Sequence, residues 1–110
     1  MQVKDIIEKL NLEVFGGNTE PEKEITGGYV SDLLSDVMGY SSEGNVWITL
    51  QTHKNVLAIA SLKELAAVIL VKGLKPSEET LEHANEEGIA LLGTHKSTFE
   101  ITGELYKLIS

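Results

Sequence analysis

The same three residue types, Thr-His-Lys, occur together at two places in the sequence, residues 52–54 and 94–96. Each triplet follows a predicted strand and precedes a predicted helix. Ligands of open α/β sheets bind beyond the carboxyl ends of parallel strands, where helix N-termini offer unpaired N–H groups and a positive dipole end. Hydroxyls, imidazoles and lysines collected there would suit a small anion, such as a phosphorylated metabolite. The two triplets therefore predict one anion-binding edge.

Two adjacent glycines, Gly27 and Gly28, precede a further run of helical spacing and could occupy the same edge. Glycine lets a ligand approach the backbone closely, because it has no Cβ. We therefore predict a polar rim that binds a small anionic metabolite or a nucleotide. The predicted rim consists of Thr26, Gly27, Gly28, Gln51, Thr52, His53, Thr94, His95 and Ser97.

A purely structural interpretation of these residues stays open. Threonine and serine at such positions are also typical helix caps, and the histidines and lysines would then be solvated loop residues. The glycine pair would let a strand turn sharply into a helix that begins near Ser31. Ser31 would be the N-cap of that helix, and Gly39 would end it.

Catalytic motifs are absent from the sequence. The segment 88–95 approaches the phosphate-binding pattern G-x-x-x-x-G-K-[ST], but Thr94 replaces its lysine and apolar residues fill its loop. Neither a G-x-G-x-x-G dinucleotide fingerprint nor a G-x-S-x-G nucleophile elbow occurs. His53, His83 and His95 lack the spacing of zinc ligands on a helix. We predict a protein that is not an enzyme and that uses neither a metal nor a cofactor.

The composition limits the class of partner. The 110 residues hold 9 basic and 17 acidic side chains, and the resulting net charge of −8 repels nucleic acid and anionic lipid. Cysteine is absent, which excludes disulfides and zinc–thiolate sites. The longest apolar run, residues 65–71, is too short to cross a bilayer. We expect one cytoplasmic domain over residues 1–110, with neither a nucleic-acid nor a membrane partner.

Hydrophobic periodicity predicts five helices and five strands. The helices are expected near residues 3–10, 31–39, 54–64, 77–88 and 97–109. Strands are expected near 12–15, 46–51, 66–71 and 89–93, and a further strand is expected to begin near Ile25. From residue 45 onward strand and helix alternate about every 20 residues, as is typical of right-handed βαβ crossovers. The predicted fold is a three-layer α/β/α sandwich with a five-stranded, mostly parallel sheet. The pairing of the first strand stays open.

Three segments carry a resemblance to a known family: EITGGYVSDLLSDVMG at 24–39, VWITLQTH at 46–53 and STFEITGELY at 97–106. Together they resemble the DRTGG domain family over nearly the whole chain. Thr26, Gly27 and Gly28 match the naming motif, while Glu24 and Ile25 stand in place of its aspartate and arginine. The resemblance implies a fold like that of the HPr kinase/phosphorylase N-terminal domain. It also implies a regulatory role, since members occur fused to CBS domains and within phosphotransacetylases.

Three functional hypotheses follow. We favour a non-catalytic regulatory module that senses a small anionic metabolite or nucleotide, or that docks a partner enzyme or a CBS-type regulatory protein. The alternative is a homodimerisation scaffold without a ligand, in which Trp47, Tyr40 or the apolar helix 54–64 meets a second copy. A phosphotransfer enzyme related to HPr kinase is the third hypothesis, weakened by the missing P-loop. A homodimer is expected under the first two.

Overall fold

The computed structural model describes the whole chain, Met1–Ser110, as five helices and five strands. In chain order the elements are α1 (Val3–Lys9), β1 (Glu13–Gly16), β2 (Gly27–Val30), α2 (Leu34–Tyr40), β3 (Asn45–Thr49), α3 (Asn55–Leu62), β4 (Ala67–Leu70), α4 (Glu78–Glu87), β5 (Ala90–Gly93) and α5 (Thr98–Ile109). The predicted number and order of elements are confirmed. Boundaries differ from the predicted ones by a few residues, as expected for helix and strand ends.

The five strands form one sheet in the order β1-β5-β4-β3-β2. Strands β2 to β5 are parallel to their neighbours, and β1 pairs antiparallel with β5 at one edge. The predicted mostly parallel, five-stranded sheet is thus confirmed, and the open question about the first strand is answered. Strand β2 forms the opposite edge, where it pairs on one side only.

Each face of the sheet carries its own core. On one face α1 and α5 supply Val3, Ile6 and Ile101, which pack against strand residues such as Ile69 and Leu92. The three remaining helices cover the other face with a second cluster, which consists of Val37, Trp47, Val56, Leu57, Ile59, Ala60, Leu65, Val68, Leu70, Ala84, Ile89 and Leu91. This arrangement is the predicted three-layer sandwich, with β4 and β5 buried on both faces.

The end signals of the two C-terminal helices are confirmed. Ser77 accepts a hydrogen bond from the Thr80 N–H at the start of α4, and Gly88 ends that helix in the left-handed conformation. Ser97 and Glu100 form the predicted capping box at the start of α5. Both helices therefore begin, and α4 also ends, where short-range sequence signals place them.

The predicted role of Gly27 and Gly28 as a turn between strand and helix is wrong. Both glycines lie within β2, paired with β3, and neither has a positive φ. The helix begins only at Leu34, with Leu33 as its N-cap residue, and Gly39 lies inside it. Ser31 does not cap this helix, because its hydroxyl accepts a hydrogen bond from the nearby Leu33 N–H in a local turn.

Two surfaces suggested for dimerisation are buried in the core. Trp47 is 0% exposed and donates its indole N–H to the Ser31 carbonyl at 2.8 Å. In α3 the side chains of Val56, Leu57 and Ala60 pack inside the second core cluster. Neither Trp47 nor the apolar face of α3 can meet a second copy, whereas Tyr40 is 77% exposed.

None of the five helices has the combination of length and apolarity that crossing a bilayer requires.

Candidate functional site

The carboxyl edge of the sheet, where β2 to β5 end, carries both Thr-His-Lys triplets. The first follows β3 and the second follows β5, with β4 lying between these two strands. Six residues of the predicted rim therefore occupy this edge: Gln51, Thr52, His53, Thr94, His95 and Ser97. Parallel winding brings them together, because it places every strand's end on the same side of the sheet.

The other three residues of the predicted rim lie at the opposite, amino edge, so their assignment to the carboxyl edge is wrong. Thr26 precedes β2, and Gly27 and Gly28 open it. The Thr26 hydroxyl donates to the Glu43 carbonyl at 2.7 Å and accepts from the Asn45 amide at 3.2 Å. These contacts tie the start of β2 to the start of β3. A residue that precedes a parallel strand lies at the sheet's amino edge, whereas one that follows it lies at the carboxyl edge.

Most polar side chains of the carboxyl edge serve the loops themselves. Gln51 donates its amide N–H to the Asp32 carbonyl at 2.8 Å. The Thr94 hydroxyl accepts from the Lys96 N–H at 3.2 Å, and Ser97 caps α5. For these residues the cap-and-turn interpretation of the sequence describes what the structure shows.

The basic groups of this edge differ in whether a carboxylate neutralises them. Lys96 binds Glu104 at 2.6 Å, and Lys54 lies 3.6 Å from Glu79. Lys72, which follows the central strand β4, is exposed and forms no salt bridge. His53 and His95 are exposed as well. These three side chains are the basic groups at the edge that remain available to an anion.

The loop after β4 lies next to His95. Gly73 has a φ of +71°, and a Cβ built on it would lie 2.8 Å from the His95 Nδ1 atom. The Lys72 N–H donates to the Lys96 carbonyl and the Gly73 N–H to the Thr94 carbonyl, both at 2.9 Å. The loop thus lies directly against the second triplet.

Two residues of the edge were missed by the sequence analysis. The Asp32 carboxylate accepts hydrogen bonds from the Thr49 hydroxyl at 2.9 Å and from the Leu50 N–H at 2.7 Å. The sequence analysis assigned no role to Lys72. Its position directly after the most central apolar strand was the available signal, because loops after central strands lie in the middle of the edge.

A shallow cleft of about 220 Å³ opens beside the second triplet. It lies between the end of α1 and the loop after β5, and its lining residues are Leu10, Asn11, Glu13, Gly93, Thr94, His95 and Lys96. Glu13 at its border is 3.4 Å from Lys75. The volume is enough for a phosphate-sized group but not for a whole nucleotide, whose remainder would extend along the edge.

The sequence model of the DRTGG domain family matches residues 5–108. The chain belongs to this family. The residues that match the family's naming motif in this DRTGG domain, Thr26, Gly27 and Gly28, build the amino edge of the sheet. They lie across the sheet from the available basic groups.

Relatives of this DRTGG domain include HPr kinase/phosphorylases from streptococci. The enzyme of Streptococcus thermophilus is 33% identical, over 94% of this chain and 38% of its own length. That of Streptococcus pneumoniae is 32% identical over the same shares. The chain thus spans little more than a third of these relatives.

A solved structure shares the fold. It comprises the CBS and DRTGG domains of the regulatory region of a Clostridium perfringens pyrophosphatase, in complex with its activator diadenosine tetraphosphate. It superimposes with a TM-score of 0.70 at 21% identity, over 96% of this chain and 45% of that one. At this identity the likeness is evidence for the fold.

Next to the naming motif of the DRTGG domain, Tyr29 has a perturbed side chain. Burial raises the pKa of its phenol above the usual 10.0, and the hydrogen bond it donates to Asp36 at 2.9 Å raises that pKa further. The folded state therefore holds this proton more tightly than the unfolded state does. The resulting contribution to the free energy of unfolding is complete below pH 10.0 and is lost as the pH rises through the raised pKa.

We expect Tyr29→Phe to remove one late step from the alkaline titration of tyrosinate absorbance. We also expect the free energy of unfolding of this variant to fall less steeply above pH 10.0 than that of the parent chain. Tyr106→Phe is the matched control, because Tyr106 is 69% exposed and lies outside the contact between Tyr29 and Asp36. If the free energy of unfolding falls equally steeply above pH 10.0 in the Tyr29→Phe variant and in the parent chain, the raised pKa of Tyr29 is contradicted.

Proposed function

We propose that this DRTGG domain is a non-catalytic regulatory module that binds a small anionic ligand, a nucleotide by preference, at the carboxyl edge of its sheet. The observation that carries the proposal is the unpaired Lys72 in the middle of that edge, with His53 and His95 on the flanking loops. In a chain of net charge −8 the unpaired ammonium group of Lys72 would attract an anion locally, and the two imidazoles could donate hydrogen bonds to it.

The fold neighbour supports the choice of a nucleotide. The regulatory region of that neighbour, which includes a DRTGG domain, is in complex with its activator diadenosine tetraphosphate, a ligand with a chain of phosphates between two adenosines. A phosphate chain along the edge would meet Lys72 and His95 in turn, with one phosphate at the cleft beside Thr94. A partner enzyme or a CBS-type regulatory protein would then bind the liganded and the free domain with different affinity.

The non-catalytic part of the proposal follows from the roles of the polar groups. Thr94 and Ser97 already bind backbone groups of their own loop, and Lys96 is held by Glu104. No hydroxyl at the edge is hydrogen-bonded to a histidine that could act as its base. The kinase relatives share only 38% of their length with this chain, so their phosphotransfer activity stays a weaker hypothesis for it.

A thermal-shift panel tests the proposal. The chain is melted with ATP, AMP, diadenosine tetraphosphate, NADH, pyruvate, an acyl phosphate and inorganic phosphate. A ligand at a hundred times its Kd adds roughly 2.7 kcal/mol to the free energy of unfolding. A domain of this size gains about 4–8 °C in Tm per kcal/mol. We expect a clear rise in Tm with at least one phosphorylated compound.

Matched variants locate the bound ligand. Lys72→Gln and His95→Gln are expected to abolish the shift, whereas Lys4→Gln removes an exposed, unpaired charge at the amino edge and should leave it intact. Thr26→Val should also leave it intact, because Thr26 lies at the amino edge. Silence across the panel would overturn the proposal. A shift that survives both edge variants would place the ligand elsewhere and contradict it too.

A second candidate function, homodimerisation, is favoured by a separate observation. On α5, Phe99 is 88% exposed and Tyr106 is 69% exposed. Neighbouring apolar side chains that are exposed to this extent are typical of protein interaction sites. A dimer is compatible with the regulatory module, since many ligand sensors are symmetric.

A further inference from the structure

Helix α5 presents an apolar stripe to solvent. The stripe is formed by the exposed Phe99, Gly103 and Tyr106 together with the half-buried Thr102, and these four residues follow the i, i+3, i+4, i+7 spacing of one helix face. A different face of the helix, with Ile101 and Leu105, packs into the core. Because the core packs against the face of α5 that carries Ile101 and Leu105, the apolar stripe on the other face has no partner within the chain.

Strand β2 extends this stripe into a larger surface. It is the sheet edge that pairs only with β3, so alternate backbone groups on its outer side are unpaired. A cleft of about 260 Å³ lies between β2 and α5, lined by Gly28, Leu105 and Ile109 among others. We name the combined surface the α5–β2 face; it consists of Gly28, Val30, Phe99, Thr102, Gly103 and Tyr106.

The α5–β2 face carries no charged side chain. The clefts that compose it are lined by glycine, threonine, serine and apolar residues throughout. Two copies of a chain with net charge −8 repel one another over most orientations. An uncharged apolar face is therefore the place where two such copies can approach, and charge depletion is typical of interface centres.

Gly103 has no explanation within the chain. A Cβ built on it would meet nothing within 4 Å, and its φ is not positive. In a helix interior glycine costs roughly 1 kcal/mol relative to alanine. A glycine in the middle of an apolar stripe permits a second helix to cross closely at that point.

The stripe is symmetric about its centre. Phe99 lies three residues before Thr102, and Tyr106 lies three residues after Gly103. If two α5 helices cross antiparallel at Thr102 and Gly103, Phe99 of each copy faces Tyr106 of the other. Each aromatic ring then covers the cleft beside β2 of the opposite copy. Such mutual insertion is the signature of an isologous, two-fold interface.

We propose that a second copy of this chain docks on the α5–β2 face, with the two-fold axis at Thr102 and Gly103. A standard interface buries about 800 Å² per partner, about one seventh of the 5777 Å² accessible surface of this chain. Helix α5 is about 18 Å long. An interface of standard size therefore needs the β2 edge as well as the helix.

Sedimentation velocity over a concentration series tests the proposal. The chain of 12.0 kDa is expected to approach twice that mass with rising concentration. Phe99→Glu should remain at 12.0 kDa, because it introduces two like charges at the interface. Tyr40→Glu and Leu62→Glu are matched controls, since both change exposed apolar residues outside the face, and both should still dimerise.

Cysteine cross-linking supplies the second measurement, and the absence of native cysteine makes it clean. In Gly103→Cys two thiols from two copies lose their protons and electrons to the added oxidant diamide and form one disulfide. Helices that cross closely at this position bring the Cα atoms within disulfide range. We expect a covalent dimer for Gly103→Cys and none for Tyr40→Cys.

The outcomes separate this proposal from the ligand proposal. A chain that stays at 12.0 kDa at all concentrations overturns the dimer, whatever the ligand panel shows. If the Phe99→Glu variant still dimerises, or if the Tyr40→Glu variant does not, the contact between copies lies on another surface. Either result overturns the proposal as well. Circular dichroism of each variant confirms folding, which a change at the 88% exposed Phe99 should not disturb.

Discussion

Gly17→Ala is expected to lower the Tm by at least about 8 °C or to prevent folding. Gly17 follows β1 with a φ of +69°, in the left-handed region that glycine adopts freely. A Cβ at this position would lie 1.9 Å from the Ile89 carbonyl oxygen and 2.7 Å from that of Ala84. Both obstacles are backbone atoms at the junction of α4 and β5, so no side-chain rotation relieves the overlap.

The size of the effect follows from two contributions. A non-glycine residue in the left-handed region costs roughly 1–2 kcal/mol. Forcing extra volume into a packed site costs typically about 1–3 kcal/mol. The expected loss of about 2–5 kcal/mol in the free energy of unfolding is large beside a total stability of roughly 5–15 kcal/mol.

Thermal unfolding followed by circular dichroism measures this effect. Gly39→Ala is the matched control, because Gly39 lies inside α2, has no positive φ and leaves its added Cβ free of contacts within 4 Å. We expect the free energy of unfolding of that variant to stay unchanged or to rise by up to about 1 kcal/mol, because alanine favours a helix. Similar Tm values for the two variants would show that the loop after β1 is not packed as described.

Trp47→Ala is expected to reduce the free energy of unfolding by about 3–5 kcal/mol. Trp47 is 0% exposed and is among the largest fully buried side chains of the core between the sheet and α2, α3 and α4. Its removal leaves a cavity and deprives the Ser31 carbonyl of the indole N–H at 2.8 Å. Trp47→Phe keeps most of the apolar volume and should cost less.

Urea unfolding followed by circular dichroism measures the loss, because the substitution removes the single tryptophan fluorophore. Tyr40→Ala serves as the control for an exposed aromatic residue and should change the free energy of unfolding by less than about 0.5 kcal/mol. The loss for Trp47→Ala should not depend on protein concentration. A strong concentration dependence would instead assign Trp47 to a contact between copies, as one sequence hypothesis supposed.

Much of the fold follows from short stretches of sequence. The continuous apolar runs of β4 and β5 predicted strands buried on both faces, and Ser77, Gly88 and the Ser97 capping box marked helix ends. Such signals are local, because a cap or a periodic face depends on residues within one or two turns. The β-strand at 46–51 and its Thr-His-Lys triplet were placed correctly for the same reason.

The sequence by itself thus determined the element order, the sheet class and the family of this chain. The tertiary structure alone decided which residues share an edge: Thr26 precedes β2 and lies at the amino edge, whereas the sequence analysis grouped it with residues of the carboxyl edge. It also decided that Lys72 stays unpaired while Lys96 is neutralised by Glu104, and that the space beside Gly103 is open. Which residues share an edge, which charges are paired and which side chains stay exposed all depend on contacts between residues far apart in the chain. Local sequence patterns do not contain information on those contacts.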